Sequence, residues 1–480
     1  MIDSRSALVA LFFAWLCTPA ITAPQEAPVL QLRTEEHPGA RGRITEGWAE
    51  VWEDRAAKSG RRIRLQIRIL RARAAAARPD PVYFLAGGPG QGAAEISEGF
   101  LESWMREERD LVFVDQRGTG RSNPLHVRVP GNDEDLQTWF EPIWRPEVFQ
   151  PAIAELSERA DLRLYTTPIA MDDLDEVRSR LGHARVNLVG GSYGSRAGLV
   201  YLKQHPATVR CAIFVAVAPV SFVNPLYHAE SAQLAFDALC AEVAGDKRYQ
   251  GAYDDLPTRL QRILARLERA PAEVEVRHPV HGEARQIRLD RDSFAEALRV
   301  LLYDVDSNRQ LPRLLVEADQ GDLRPFAQRA LESNRALRQS LAFGMLMSVV
   351  GSEDLPRITE EAIVQHCAGT FLGDQRVRDQ LRVGAIWPRG VIPADYAEPL
   401  RCDVPILLLS GSMDGVTSPR HAAEAVRHLS RGVHLVFPGC HGFPTQPAYQ
   451  SYVAAFLARG SGAGLAVPDP AAHPLPPCER

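Results

Sequence analysis

The chain has 480 residues and a formal net charge of −5, with 24% charged residues and 45% apolar or aromatic ones. This is the balance of an ordinary globular protein, and the length allows two to three domain-sized units. Proteins that bind nucleic acid usually carry a basic excess, so the composition argues against such a partner.

The first residues have the pattern of a secretory signal. An apolar run at 7–17 follows Arg5, and small residues follow at 18–23. The run is shorter than the roughly 20 residues that span a bilayer. We expect residues 1–23 to be a signal peptide and the mature chain to be exported, periplasmic or secreted, without stable membrane insertion. A buried N-terminal helix is the alternative.

Six cysteines remain after this segment, an even number that permits disulfides in an exported chain. Six thiols allow fifteen pairings, and the sequence does not choose among them. No cysteine or histidine spacing suits a zinc site, so we predict no metal and no other cofactor. The six are Cys211, Cys240, Cys367, Cys402, Cys440 and Cys478.

Short apolar runs predict the strands of a sheet. One run alternates polar and apolar residues, and the others are nearly all apolar, which is typical of parallel strands covered by helices. Amphipathic segments between them, such as 171–181, predict an α/β fold with a mostly parallel, doubly wound sheet. The runs occupy 62–70, 82–85, 111–114, 186–189, 211–215, 406–409 and 433–437.

A glycine-rich loop, Gly-Gly-Pro-Gly at 87–90, follows the second of these strands. Glycines let the main chain approach a substrate closely. Backbone amides on such a loop can stabilise the oxyanion of an acyl-transfer intermediate. For the candidate serine described below, we expect the Gly88 amide to be one such donor, with Gly87 as the next choice. A plain tight turn is the structural alternative.

The next strand precedes residues 115–122, which read Asp-Gln-Arg-Gly-Thr-Gly-Arg-Ser. A phosphate cradle is disfavoured, because neither a third glycine nor a Gly-Lys-Ser/Thr sequence follows. We expect Asp115, with Arg117 or Arg121, to brace the loops nearby.

Ser192 lies in the sequence Gly190-x-Ser-x-Gly194, between a predicted strand and a predicted helix. In that setting the motif predicts a nucleophile elbow, a sharp turn that presents the serine hydroxyl at the end of the strand. The Tyr193 amide, directly after the nucleophile, is the second expected oxyanion donor.

A mainly helical insertion, broken by one predicted hairpin at 272–277 and 284–289, precedes the last strands. An insertion at this place predicts a cap over the sheet. The predicted divisions are a signal peptide at 1–23, a first core part at 24–222, a helical cap at 223–399, a second core part at 400–460 and an irregular tail at 461–480.

A serine needs a base to remove its proton, and the base needs a carboxylate to orient it. In this architecture the chain order is serine, acid, histidine. Asp414 and His441 follow the last two predicted strands on glycine-rich loops. Asp403 and His434 are weaker choices, since one precedes its strand and the other lies within a strand.

These motifs together resemble the proline iminopeptidase and tripeptidyl aminopeptidase family of α/β hydrolases. The likeness runs from about Trp48 to Phe456 and is densest in the core. It implies an α/β-hydrolase fold and a serine exopeptidase that acts on peptides with a free N-terminus. The residues that carry it are 87–90, 115–122, 190–194, Asp414 before 417–419, and His441-Gly442.

The chain also departs from that family. Ala86 stands where the family often has histidine, which should alter how the loop is braced while keeping its backbone donors. The family anchors the substrate's amino group with cap carboxylates, and the resemblance implies Glu353 and Asp354 for that role. Related members tend to carry cysteine where Gly351 stands, so a local disulfide is not expected. The alternative for Glu353 and Asp354 is a purely structural one, an acidic pair on a solvated helix or turn.

Three functions remain at this point. An aminopeptidase would release N-terminal proline or short peptides through an acyl-enzyme on Ser192. An esterase or small-molecule amidase could use the same residues, because one fold supports many activities. A binding module without catalysis is the third, but it would be marked by loss of the serine, acid or histidine, and none is lost.

Overall fold

A computed structural model describes residues 29–37, 42–442, 447–465, 469 and 474–479. The predicted signal peptide at 1–23 lies outside the described residues. Within the described ranges, no helix combines the length and the apolar character needed to cross a membrane.

Eleven strands occur in the described part of the chain. They are β1 (Leu30–His37), β2 (Gly42–Trp52), β3 (Arg62–Leu70), β4 (Val82–Leu85), β5 (Leu111–Val114), β6 (Val186–Gly191), β7 (Val209–Val215), β8 (Ala272–Arg277), β9 (Ala284–Leu289), β10 (Ile406–Gly411) and β11 (Gly432–Phe437).

Nine of these strands form one sheet, in the order β1-β2-β3-β5-β4-β6-β7-β10-β11. The three pairs from β1 to β5 are antiparallel, and the five pairs from β5 to β11 are parallel. The predicted α/β fold with a mostly parallel sheet is therefore confirmed. Strands β4 and β5 are buried at every residue, as the apolar runs indicate.

Strands β1 and β2 are not among the predicted strands. Strand β1 lies at the edge of the sheet and exposes most of its side chains, so it has no apolar alternation to detect. Gly47 in β2 allows the close pairing of the two strands, because a Cβ there would lie 1.9 Å from the Gln31 carbonyl oxygen.

Fourteen α-helices are present in the described ranges. They are α1 (Ala93–Ile96), α2 (Pro146–Ser157), α3 (Thr167–Arg180), α4 (Tyr193–Gln204), α5 (His228–Gly245), α6 (Leu256–Arg269), α7 (Arg291–Leu301), α8 (Val305–Asp319), α9 (Arg324–Gln339), α10 (Phe343–Glu353), α11 (Glu360–Cys367), α12 (Gln375–Ile386), α13 (Pro419–Val426) and α14 (Pro447–Arg459). Short 3₁₀ helices lie at Ser97–Phe100, Trp104–Arg106, Leu136–Phe140, Leu162–Leu164, Pro206–Thr208, Lys247–Tyr249 and Leu355–Arg357.

Helices α5 to α12 and the β8–β9 hairpin lie between β7 and β10 in the chain. The hairpin pairs Ala272 with Leu289, as predicted. Most of these helices share an apolar core of their own. Helix α10 differs, because every one of its residues is buried and its apolar side chains join the core cluster that also contains residues of β2 to β7 and β10.

The end of the chain is irregular but packed. Residues 474–479 form no helix or strand, yet Cys478 is buried and the Glu479 amide donates to the Arg309 carbonyl oxygen at 3.0 Å. Arg313 forms an ion pair of 3.1 Å with the Glu479 carboxylate. This part of the tail is held against the helical insertion. Each of the six cysteines from Cys211 to Cys478 carries a free thiol.

Candidate active site

Ser192 lies between β6 and α4 in a strained conformation, with φ 56° and ψ −126°. A residue other than glycine enters this left-handed region only where its surroundings hold it there. The Ser192 amide donates to the Val215 carbonyl oxygen on β7 at 3.0 Å, and the Ser195 hydroxyl donates to the Ser192 carbonyl oxygen at 2.6 Å. The sheet and the first turn of α4 thus fix the turn.

The glycines around the serine are required by close packing. A Cβ on Gly190 would lie 2.4 Å from the Gly194 carbonyl oxygen, and one on Gly194 would lie 2.1 Å from the Leu85 carbonyl oxygen. Real Cβ atoms do not approach main-chain atoms so closely. The geometry is that of a strand-to-helix elbow with a serine at its apex.

Asp414 follows β10 on a buried loop and is held on three sides. Its Oδ1 accepts the amides of Val416 and Thr417, both at 2.8 Å, and its Oδ2 accepts the Thr417 hydroxyl at 2.9 Å. Both carboxylate oxygens lie 3.0 Å from Nδ1 of His441. This partner assigns the ring proton to Nδ1 and leaves Nε2 able to accept a proton.

His441 is also positioned by the helical insertion. Its amide donates to the Tyr303 carbonyl oxygen at 2.8 Å, and the two rings meet edge to face with centroids 5.3 Å apart. Sequence reasoning missed Tyr303, because an aromatic residue just after a helix carries no motif.

A cavity of about 340 Å³ brings together several of the predicted residues. Ser192, Tyr193, Gly88 and His441 all line it, and Asp414 lies behind His441, outside the lining. The structure therefore places the predicted nucleophile, base and oxyanion donors around one space.

The Gly-Gly-Pro-Gly loop lies against both the elbow and the insertion. A Cβ on Gly87 would lie 3.6 Å from the Ser192 Cβ. Gly88 has φ +108°, where L side chains are strained. The Gly90 carbonyl oxygen accepts the Ala342 amide at 3.0 Å. Ala86 stands where the family that the motifs resemble often has histidine. In this chain the loop is held by the insertion, through the hydrogen bond from Ala342 to Gly90.

Asp115 supports the other side of this loop. Its Oδ1 accepts the Ala94 amide at 2.7 Å and its Oδ2 accepts the Arg121 amide at 2.9 Å. The expected bracing role therefore belongs to Asp115 and the main chain of Arg121. Arg117 instead binds Asp173, at 2.7 and 3.0 Å.

Glu353 and Asp354 require a correction. Neither residue lines the cavity, and both have no exposed surface. Asp354 binds Arg196 at 2.7 Å and Arg357 at 2.8 Å. The resemblance implied a substrate-binding role for this acidic pair. In the structure it is a buried structural pair, in which Asp354 forms an ion pair with the buried Arg196 of α4.

Glu353 belongs to a hydrogen-bond network that reaches the elbow. Its carboxylate accepts the Thr167 amide at 2.6 Å and hydroxyl at 2.9 Å, and it accepts the Tyr396 hydroxyl. The Thr167 hydroxyl lies 2.8 Å from the Tyr193 hydroxyl. Burial raises the pKa of Glu353 to about 6, although Arg196 opposes the shift.

This raised pKa predicts a pH-dependent stability. The folded chain holds the Glu353 proton more tightly than the unfolded chain, whose glutamate pKa is 4.5. The stabilisation that protonated Glu353 adds to the free energy of unfolding is therefore complete below about pH 4.5 and is lost as the pH rises through 6. Between pH 4 and 7 we expect the free energy of unfolding of the wild type to fall by about 2 kcal/mol relative to Glu353→Gln.

Urea unfolding of both proteins across this pH range measures the difference. The Glu360→Gln variant, at an exposed carboxylate, is the control and should run parallel to the wild type. Parallel curves for Glu353→Gln as well would contradict the prediction.

The insertion contributes a charged wall that sequence reasoning also missed. Glu296 and Arg299 of α7, Arg338 of α9 and Arg376 of α12 line the cavity. The spacing of Glu296 and Arg299 on a helix is visible in the sequence, but it is equally typical of a surface ion pair.

A mostly parallel sheet with its chemistry at the carboxyl ends of the strands is the architecture of the α/β hydrolases. The chain matches the family described as alpha/beta hydrolase fold over residues 80–444. It belongs to this family, and it is a hydrolase of that fold.

Curated relatives carry peptidase names. The chain is 32% identical over 130 residues to proline iminopeptidase of Neisseria gonorrhoeae, which covers 27% of this chain and 30% of that protein. It is 28% identical over 185 residues to tripeptidyl aminopeptidase of Streptomyces coelicolor, covering 34% of this chain and 33% of that protein. The matches thus span about a third of each relative's length.

Comparison with solved structures gives matches of low sequence identity. The crystal structure of proline iminopeptidase from Mycobacterium smegmatis aligns with 86% of this chain and 98% of its own, at 16% identity and a TM-score of 0.42. The resemblance drawn from the motifs is confirmed by the two peptidase-named relatives.

Proposed function

We propose that the chain is a serine hydrolase that acts as an aminopeptidase, releasing N-terminal proline or short peptides through an acyl-enzyme on Ser192. The observation that carries this proposal is the His441 ring, held with Nδ1 at 3.0 Å from both oxygens of Asp414. The ring lines the same cavity as the strained serine.

In the proposed mechanism, His441 Nε2 accepts the Ser192 proton as Oγ attacks the scissile carbonyl carbon. The negative charge on the carbonyl oxygen is stabilised by the amides of Gly88 and Tyr193. Tyr193 begins α4, and first-turn amides of a helix have no partner within it. The helix dipole also favours negative charge at this end.

His441 then donates its proton to the leaving amine as the carbon–nitrogen bond breaks, which leaves an ester on Ser192. Water attacks this ester, His441 accepts the water proton, and Ser192 recovers it as the acid is released. Asp414 stays ionised throughout and stabilises the imidazolium.

Two further observations support an exopeptidase. The relatives named above are aminopeptidases, and the insertion covers the site, since Tyr303, Arg338 and Arg376 line the same cavity as Ser192. A cavity near the lower end of the usual range for small-molecule sites suits a short acyl group. The signal-like pattern at 1–23 supports the proposal that the chain is exported, periplasmic or secreted.

One observation favours a second candidate, an esterase or small-molecule amidase. Glu296 is the one carboxylate among the described residues that line the cavity. It is already bonded to Arg299 and Arg376. A free amino group on the substrate would compete with two guanidinium groups for this carboxylate.

A substrate panel separates the two candidates. Proline, alanine and tripeptidyl 4-nitroanilides should be hydrolysed if the chain is an aminopeptidase, and blocking their amino groups should abolish turnover. Rapid hydrolysis of simple esters, with no cleavage of any free anilide, would replace the aminopeptidase proposal by the second candidate.

A further inference from the structure

The cavity beside Ser192 has an excess of positive charge. Among the described residues that line it are four arginines and one carboxylate, Glu296. Arg196 is neutralised from outside the cavity by Asp354, at 2.7 Å. Arg299, Arg338 and Arg376 of the insertion thus line the cavity with Glu296 as the one carboxylate among the described lining residues.

Glu296 is fully engaged by two of these arginines. Arg299 donates to both of its oxygens, at 3.1 and 2.6 Å, and Arg376 donates to Oε1 at 2.6 Å. Burial alone would raise the pKa of Glu296, but Arg299 and Arg376 lower it to about 2. Glu296 is thus an internal counterion and leaves net positive charge around it.

Arg376 has donors to spare. Its Nη1 binds Glu296, its Nε donates to Nδ1 of His228 at 3.2 Å, and its Nη2 is bonded to none of the described residues. The Trp144 ring lies 5.9 Å from its guanidinium carbon. The guanidinium is therefore held in place, and its Nη2 can still donate to a ligand.

His228, beside Arg376, does not offset the positive charge of the arginines. Burial, followed by the charges of Arg376 and Arg299, holds the pKa of His228 well below its usual range. The neutral ring accepts at Nδ1 and adds no negative charge.

Arg338 adds a charge that no ion pair cancels. Its guanidinium donates to the carbonyl oxygens of Pro130, Thr138 and Glu141 at 2.7 to 3.0 Å, and it pairs with no carboxylate in the described ranges. Burial lowers its pKa to about 10, so the group remains protonated at neutral pH.

We propose that the acyl part of the substrate carries a carboxylate, which binds the free Nη2 side of Arg376 within the field of Arg338. The proposal rests on the proposed hydrolysis at Ser192. Arginine suits this role, because its planar fork matches a carboxylate and such charge-assisted bonds are strong. A carboxylate would also balance the buried charge of the wall.

Two kinds of substrate carry a carboxylate on the acyl part. One is a peptide with an N-terminal acidic residue, and the other is the half-ester or half-amide of a dicarboxylic acid. Matched substrates distinguish them. Glutamyl and glutaminyl 4-nitroanilides differ at the side-chain end as carboxylate and neutral amide, and the 4-nitrophenyl esters of hemiglutarate and of glutaramic acid differ in the same way at the end of the acyl chain.

We expect kcat/KM for the carboxylate member of at least one pair to exceed that of its neutral partner by about 10- to 100-fold, the range of one charge-assisted hydrogen bond. Arg376→Gln should remove this preference, and Arg376→Lys, which keeps the charge and loses the fork, should retain part of it. Arg378→Gln is the matched control on the same helix, since Arg378 pairs with Glu360 and Asp374 outside the cavity.

Equal or better turnover of both neutral members, or a preference that survives Arg376→Gln, would overturn the proposal. A direct binding experiment separates this outcome from failure of the proposed function. Glutarate titrated calorimetrically into the Ser192→Ala chain should bind, and binding should weaken by a similar factor when Arg376→Gln is added.

If proline, alanine or tripeptidyl 4-nitroanilides are hydrolysed but no substrate of either pair is, the proposed function stands and the subsite proposal is overturned. If none of these substrates is hydrolysed, the proposed function fails and the titration alone decides the subsite. Glutarate binding that depends on Arg376 supports the subsite, and absence of binding overturns it.

Discussion

Ser192→Ala is expected to lower kcat by about 10⁶-fold while leaving the fold intact, because the nucleophile, base and acid act as one unit. His441→Ala should cause a loss of the same order, and the double variant should lose little more than either single one. Steady-state hydrolysis of the best substrate of the panel measures the three values.

Covalent labelling provides an independent check on the nucleophile. A fluorophosphonate probe should modify the wild type and fail to modify Ser192→Ala. The control is Ser430→Ala, at an exposed serine four residues after the end of α13, and it should label normally. Undiminished labelling of Ser192→Ala would assign the nucleophile to another serine and remove the proposed mechanism.

Asp354→Asn is expected to reduce the free energy of unfolding by about 3 to 5 kcal/mol. The variant would leave Arg196 buried without its carboxylate, and loss of one partner from a buried ion pair is strongly destabilising. Arg196 is 2% exposed, and its other contact is with the Phe222 carbonyl oxygen.

Urea unfolding at constant pH tests this prediction. Asp395→Asn is the control, because the Asp395 carboxylate, which pairs with Lys203, is 55% exposed and exposed pairs contribute about 1 kcal/mol or less. A variant of Asp354 with normal stability and a greatly raised KM would restore the substrate-binding role that the buried position argues against.

The arrangement of the candidate site could be predicted largely from local sequence. Ser192, Asp414 and His441 each follow an apolar strand and lie beside glycines, so short-range patterns place them at one edge of the sheet. Most strands were predicted for the same reason. Strand β1 was not, because an exposed edge has no apolar pattern.

The other residues of the site depend on contacts that are distant in sequence. Asp354 meets Arg196 across 158 positions, and Glu353 meets Thr167 across 186. An adjacent acidic pair has the same sequence pattern whether it is solvated or buried. The arginine wall was missed likewise, since α7, α9 and α12 converge only in the folded chain.

Helix α10 limits how substrate can enter. It belongs to the insertion by sequence, but its apolar side chains join the core cluster that contains the sheet residues. Its Gly344 packs so tightly that a Cβ there would lie 2.5 Å from the Leu125 carbonyl oxygen. Swinging the insertion away as a rigid lid would pull a buried helix out of that core. An opening motion of the insertion would therefore have to leave α10 in place. Substrate that reaches Ser192 would then meet a stationary surface on this side of the cavity, because Phe343 and Leu346 of α10 line it.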